Sequence, residues 1–149
     1  MFSKLPADDR AQQGLVRAEH VDARTTAAVG SALLPPSPSA CREARELVRR
    51  MLAGADTRRS NYAVELVASE LAGNAVRHAR SAFEVEVSVF DEVVRVAVTD
   101  AIRVPSGWVG FRVAQDHGLG IVAALSCDWG VEPVDGGKVV WADVERIEY

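Results

Sequence analysis

Two hydrophobic periods divide the chain. Between Phe83 and Asp100 the period is two: Phe83, Val85, Val87 and Val89 alternate with Glu84, Glu86 and Ser88. This is the pattern of a half-buried strand. Asp91-Glu92 makes a turn, and Val94, Val96 and Val98 alternate with Arg95, Ala97 and Thr99 as the return strand, which ends at Asp100. Upstream the spacing is helical. Ala44, Leu47, Val48 and Met51 point inward and Arg42, Arg45 and Arg49 outward on a helix over about 40–53, capped by Ser37 or Ser39 and ended by Gly54. Val64, Val67, Leu71 and Ala75 form the core stripe of a second helix over about 60–79. Ala27–Leu34 reads as an edge strand stopped by Pro35-Pro36. Residues 101–117, with Pro105, Gly107 and Gly110, lack sustained periodicity and read as a long loop. A third, apolar helix follows at Gly118–Cys127, then strands over about 129–134 and 138–145 joined by Asp135-Gly136-Gly137.

One-sided helices and strands imply an α+β two-layer sandwich, with helices on one face of a mixed, mostly antiparallel sheet. The other face, with Glu84, Glu86, Ser88 and Arg95, is expected to meet water. Residues 1–26 are polar and poor in aromatics and read as a flexible arm, leaving 27–149 as one domain.

Composition narrows the function classes. A net charge of −4 and a pI near 5.4 leave no long basic patch for neutralising nucleic-acid phosphates. Cys41 and Cys127 are far apart and lack metal spacing, so they are expected to be reduced thiols. No apolar run is long enough to span a bilayer, and Asp8, Asp9 and Arg10 interrupt the start before any signal-like apolar stretch. The expected location is the cytoplasm.

The second helix carries the chemistry. At about 100° per residue, Glu70, Asn74 and His78 project from neighbouring parts of one face, with Arg77 beside them. Such groups are costly to bury unless something satisfies them, and a metal–phosphate ligand would do so. The spacing also permits a solvent-facing polar stripe. Where the long loop enters the third helix, His117-Gly118-Leu119-Gly120 offers unpaired N–H groups and close backbone approach to a phosphate, or simply turn glycines. Asp100, at the end of a buried strand, suits an exocyclic amine such as that of adenine, or caps its own backbone. Lys138 opens the last strand and by itself reads as an edge or turn lysine. Gly136-Gly137-Lys138 is not a Walker A loop, since Val139 follows the lysine and the upstream glycine is missing.

In chain order these features resemble the GHKL ATP-binding fold of histidine kinases, Hsp90, gyrase and MutL. They are most similar to the stand-alone anti-sigma factor serine/threonine kinases of actinobacterial type. The matching segments are Ser69–Ala79, Val98-Thr99-Asp100, Gly118-Leu119-Gly120-Ile121-Val122, and Trp129-Gly130-Val131 with Gly137–Ala142, spanning roughly residues 33–145. The resemblance implies that Asn74 coordinates Mg²⁺ on ATP and that Glu70 is the general base toward a serine hydroxyl. It further implies that Asp100 holds the adenine amine and that residues 101–117 form a lid. Gly118, Leu119 and Gly120 would contact phosphate, with Arg77, His78, His117 and Lys138 alongside. The implied partners are a sigma factor and a STAS-type anti-anti-sigma protein, and a homodimer is possible.

The chain departs from that family at several places. Ile102 and Val104 stand where glycines often follow the aspartate, Asp116 replaces a glycine before Gly118, and Val139 replaces a threonine. Trp108, Val109, Phe111 and Val113 make the lid segment apolar. Two function classes follow: a protein kinase that uses ATP and Mg²⁺, or a degenerate regulator that binds protein partners with weak or no nucleotide binding. A sensor histidine kinase fits less well, because the chain has no room for a dimerisation helix pair carrying a phosphoacceptor histidine.

Overall fold

The computed structural model describes residues 26–53, 58–78, 81–101 and 117–146. In chain order they form strand β1 (Thr26–Leu34), helices α1 (Ser39–Met51) and α2 (Arg58–His78), strands β2 (Phe83–Phe90) and β3 (Val93–Asp100), helix α3 (His117–Leu125), and strands β4 (Asp128–Val134) and β5 (Gly137–Glu145). The arm expected over 1–26, apart from Thr26, lies outside the described residues, as do Gly54 and the lid segment 102–116.

The strands form one sheet in the order β1-β2-β3-β5-β4. All four pairings among the described residues are antiparallel, in keeping with the expected two-layer sandwich on a mostly antiparallel sheet. The path of the chain explains this. After β3 it runs back along α3, out along the edge as β4, and turns at Asp135-Gly136 to return as β5 beside β3. Gly136 takes φ +80° in that turn, a conformation that glycine adopts without steric cost.

The inner face of the sheet is the core. Val85, Val87, Val94, Val96, Val98, Val140, Ala142 and Val144 are all buried there. Helix α1 lies against β1 and β2, α2 crosses β3 and β5, and α3 packs on α2 and β4. The helices contribute Ala44, Leu47 and Val48 from α1, and Val64, Val67, Ala68, Leu71, Ala72 and Ala75 from α2. Polar contacts join the two long helices along their rim: Arg45 Nη1 donates to Ser69 Oγ at 2.9 Å, and Arg49 Nε to Glu65 Oε1 at 2.8 Å. The serine cap expected for α1 is not formed. Pro38 occupies the cap position, and the Ser37 and Ser39 hydroxyls bond to each other at 2.9 Å instead of to helix N–H groups.

The outer face differs from the expected water-facing surface. Glu84 is exposed, but Ser88, Trp141 and Asp143 are buried. Arg95 binds Asp143 in a fork, Nε to Oδ1 at 2.7 Å and Nη2 to Oδ2 at 2.9 Å, while its guanidinium lies 4.4 Å from the Trp141 ring centroid. A side chain at Gly130, opposite Trp141, would place Cβ 3.0 Å from the indole, so the ring occupies the space that the glycine leaves. Bidentate pairing and cation–π contact together let a charged residue lie flat on a sheet and shield it. Beside this cluster, the Cys127 N–H and Sγ both donate to the Asp143 carbonyl, at 2.9 and 3.3 Å.

Two outcomes are expected. Leu71→Ala, in a fully buried position, destabilises the fold by about 2–5 kcal/mol in urea titration. Leu33→Ala, at a residue 73% exposed, changes stability by no more than about 0.5 kcal/mol. The Cys127 thiol is pushed up from the ordinary thiol range, first by partial burial and next by the Asp143 carboxylate. The folded protein therefore retains the thiol proton to higher pH than the unfolded chain does. Alkylation of Cys127 by iodoacetamide should be slower in the native protein near about pH 8 than in urea, and its rate should rise at higher pH than in urea.

Candidate functional site

The polar residues of interest gather at one end of the sheet because of chain connectivity. β2 begins at Phe83, five residues beyond His78 at the end of α2, and its first residues pair with the end of β3 through Glu84 and Thr99. The last turns of α2, the end of β3 and the start of β5 therefore share that end. The C-terminus of α3 feeds β4 at the opposite end, where Asp128 pairs with Asp143, so its first residues, His117 and Gly118, head the other way, toward the site.

Asp100 and Lys138 are directly paired. They are register partners in β3 and β5, both on the inner face, where they continue the rows Val94-Val96-Val98 and Val140-Ala142-Val144. The Lys138 ammonium donates to Asp100 Oδ2, with side-chain exposures of 7% for the lysine and 1% for the aspartate. A buried ion pair must recover a large desolvation cost through its geometry. Here the backbone contributes to that geometry. A Cβ on Gly137 would fall 1.9 Å from the Asp100 carbonyl oxygen, so only glycine lets β5 approach β3 this closely.

On α2, burial grades across the polar residues. Asn74 is 5% exposed and borders the core stripe, Glu70 is half-buried, and Arg77 and His78 are exposed. A Cβ on Gly73 would lie 3.5 Å from Arg77 Nη1, so the guanidinium folds back along the helix. In α3, Leu119 is buried in the core, and Gly120 is exposed with open space where a side chain would be. The structure thus joins Asp100 to Lys138 and brings α2, with Glu70 and Asn74, across the strands that carry them. Among the described residues no cluster of His, Cys, Asp and Glu is arranged to hold a metal ion. No described helix is long and apolar enough to cross a membrane.

Reading the residues one at a time missed the Asp100–Lys138 pair. Its signal was present in the parity of β5: Lys138 stands two and four positions before Val140 and Ala142, which places it inward.

Comparison with known proteins adds the fold. The crystal structure of the RsbU and RsbW domains of Rv1364c from Mycobacterium tuberculosis superposes with a TM-score of 0.61 at 23% identity, covering 80% of this chain and 33% of that one. The two share a fold. This chain spans about a third of the length of that solved protein. No family model matches the sequence, and no curated protein matches it.

Removing one member of the buried pair should cost more than removing both. Lys138→Met is expected to lower unfolding free energy by about 3–5 kcal/mol, and the double variant Asp100→Leu, Lys138→Met should recover most of that loss. Chemical denaturation of the single and double variants measures this.

Proposed function

We propose that this chain is an ATP- and Mg²⁺-binding anti-sigma protein serine/threonine kinase, acting on a STAS-type antagonist and sequestering a sigma factor. The observation that carries the reading is the buried Asp100 carboxylate at the end of β3, below the helix that bears Glu70 and Asn74, in a fold shared with a protein that contains an RsbW domain. The donor set suits the nucleotide and its metal. Asn74 offers a carboxamide oxygen of the kind Mg²⁺ accepts, from a rigid and largely buried position. Asp100 offers an acceptor to an adenine amine. Arg77 and His78, exposed at the end of α2, supply donors for phosphate oxygens.

ATP with Mg²⁺ would supply the transferable phosphoryl group and neutralise its charge. The work of the protein residues would be positioning: Asn74 would hold the metal, Asp100 would hold the adenine, and Glu70 would accept the proton of the attacking serine hydroxyl. The N–H groups at the start of α3, from His117 to Gly120, would receive phosphate. A sigma factor and a STAS protein are the partner classes this reading implies.

A second reading, a partner-binding regulator with little nucleotide affinity, draws support from the sequence, where Ile102, Val104 and Asp116 stand in place of the glycines of the resembling family. Isothermal titration with ATP and Mg²⁺ separates the two. The kinase reading expects saturable binding at or below millimolar ATP, and no heat at that concentration favours the regulator. Given binding, Glu70→Ala should lower phosphotransfer to a STAS-domain protein from the same genome by about 10²-fold or more while ATP affinity stays within about twofold.

A further inference from the structure

The two edges of the sheet are built differently. β4 is seven residues long and carries devices that discourage pairing: the charges of Asp128 and Glu132, and Pro133, which has no N–H to donate. β1 is nine residues long and contains neither a charge nor a proline. Its register on β2 is continuous from Ala28 to Leu34, and among the described residues no strand pairs with its other edge. Val29 and Leu33 stand 56% and 73% exposed on the outer face, with Ser31 exposed between them. Unpaired N–H and C=O groups along such a strand are a template for another strand. We infer that this edge, with the adjoining flank of α1, is a docking surface for a second copy of this chain. β1 pairs antiparallel with its copy about a twofold axis at Ser31. The surface is separate from the nucleotide site and does not depend on that reading.

A second copy fits because the surface complements itself. With Ser31 on the axis, Val29 lies opposite Leu33 of the second copy, and Leu33 opposite its Val29. The helix above agrees. Arg45 and Arg49 turn one side of α1 to Ser69 and Glu65 of α2, and Met51 faces the sheet, where a Cβ on Gly30 would run into its Sδ. Glu43 and Arg50, seven residues or two turns apart, share the remaining side. Because α1 covers β1 and β2 while α2 crosses β3 and β5, that side looks past the open edge of β1. Glu43 is half-buried, and its Oε2 is buried without a hydrogen-bond partner, whereas Arg50 is exposed. The axis that joins the strands sets α1 antiparallel to its copy, about 10 Å away. Glu43 then meets Arg50 of the second copy, twice. The axis positions also match. Helices rise about 1.5 Å and strands about 3.3 Å per residue, so from Met51 over Gly30 the midpoint of Glu43 and Arg50 falls near Ala32, beside Ser31. A strand from an unlike protein would satisfy the backbone edge but would have no reason to supply both charge pairs.

One strand edge and one helix flank make a modest interface, so the expected dissociation constant is on the order of 10–100 µM. Sedimentation equilibrium of the full chain should show the mass rising from 16.0 kDa toward twice that value as concentration increases through this range. Ser31→Lys sets two ammonium groups against each other on the axis and should weaken the dimer about tenfold or more. Arg50→Glu, which opposes two carboxylates, should do the same. The exchange Glu43→Arg with Arg50→Glu restores opposite charges and should bring the constant back to within about threefold of wild type. Circular dichroism establishes that each variant is folded. If the exchanged protein does not fold, Glu43→Gln in the Arg50→Glu background is measured instead and should recover several-fold of the loss. A chain that stays monomeric to about 1 mM overturns the inference and leaves the edge to an unlike partner. A dimer that neither Ser31→Lys nor Arg50→Glu weakens overturns it as well, as does one that the charge exchange fails to restore.

Discussion

Asp100 and Lys138 can meet in a buried place only because β3 and β5 lie antiparallel with their inner rows in register from Val94 and Val144 onward. That single pairing fixes most of what surrounds it. The same register sets Arg95 opposite Asp143 on the outer face, and it brings the end of β3 against Gly137 at the turn into β5. Both cross-strand charge pairs thus come from one ladder, one on each face of the sheet. Slipping the register by one residue would send the buried lysine outward and the valine rows into water, so the apolar pattern and the charge pairs enforce the same alignment.

The two charge pairs solve the problem of burial differently. On the outer face, Arg95 uses a planar guanidinium that can bond Asp143 through two nitrogens and lie against Trp141 at once. Its cost is spread over several contacts. On the inner face, Lys138 is a point charge with a flexible stem, and its stem continues the apolar row toward Val140. A point charge of this kind orients one carboxylate without covering it on every side. The outer pair lies across the sheet face, whereas the inner pair sits at the end of the core.

Much of this architecture is legible from periodicity. The alternating valines mark β2, β3 and β5, and the three-and-four spacing marks α1 and α2, because these elements have one buried face each and the pattern records it. Glu70, Asn74 and Asp100 stand out for a related reason: polar groups bordering apolar stripes are costly, so their presence carries information. What escapes is information held in pairs of distant positions. Nothing in the local sequence says that Arg95 will find Asp143, or that Trp141 will fill the space above Gly130, since both depend on which strands become neighbours. The Ser37–Ser39 bond replaces the expected helix cap by a local competition between hydroxyls that residue type does not decide.

The position of the Asp100–Lys138 pair along its strands sets it apart from the other inner-row pairs. Placed one pair earlier on the inner rows, at Val98 and Val140, the same ion pair would be enclosed by the core and inert. Placed on the outer face, it would be one more rim contact. It stands instead at the last inner position of β3, where the chain leaves the sheet toward residues 102–116 and where α2 brings Asn74 and Glu70 across from above. A charge pair at the boundary of an apolar core is desolvated, which strengthens its mutual attraction. The glycine that starts β5 is part of the same arrangement, because without the close approach it permits, the lysine one residue later would not be held against the aspartate.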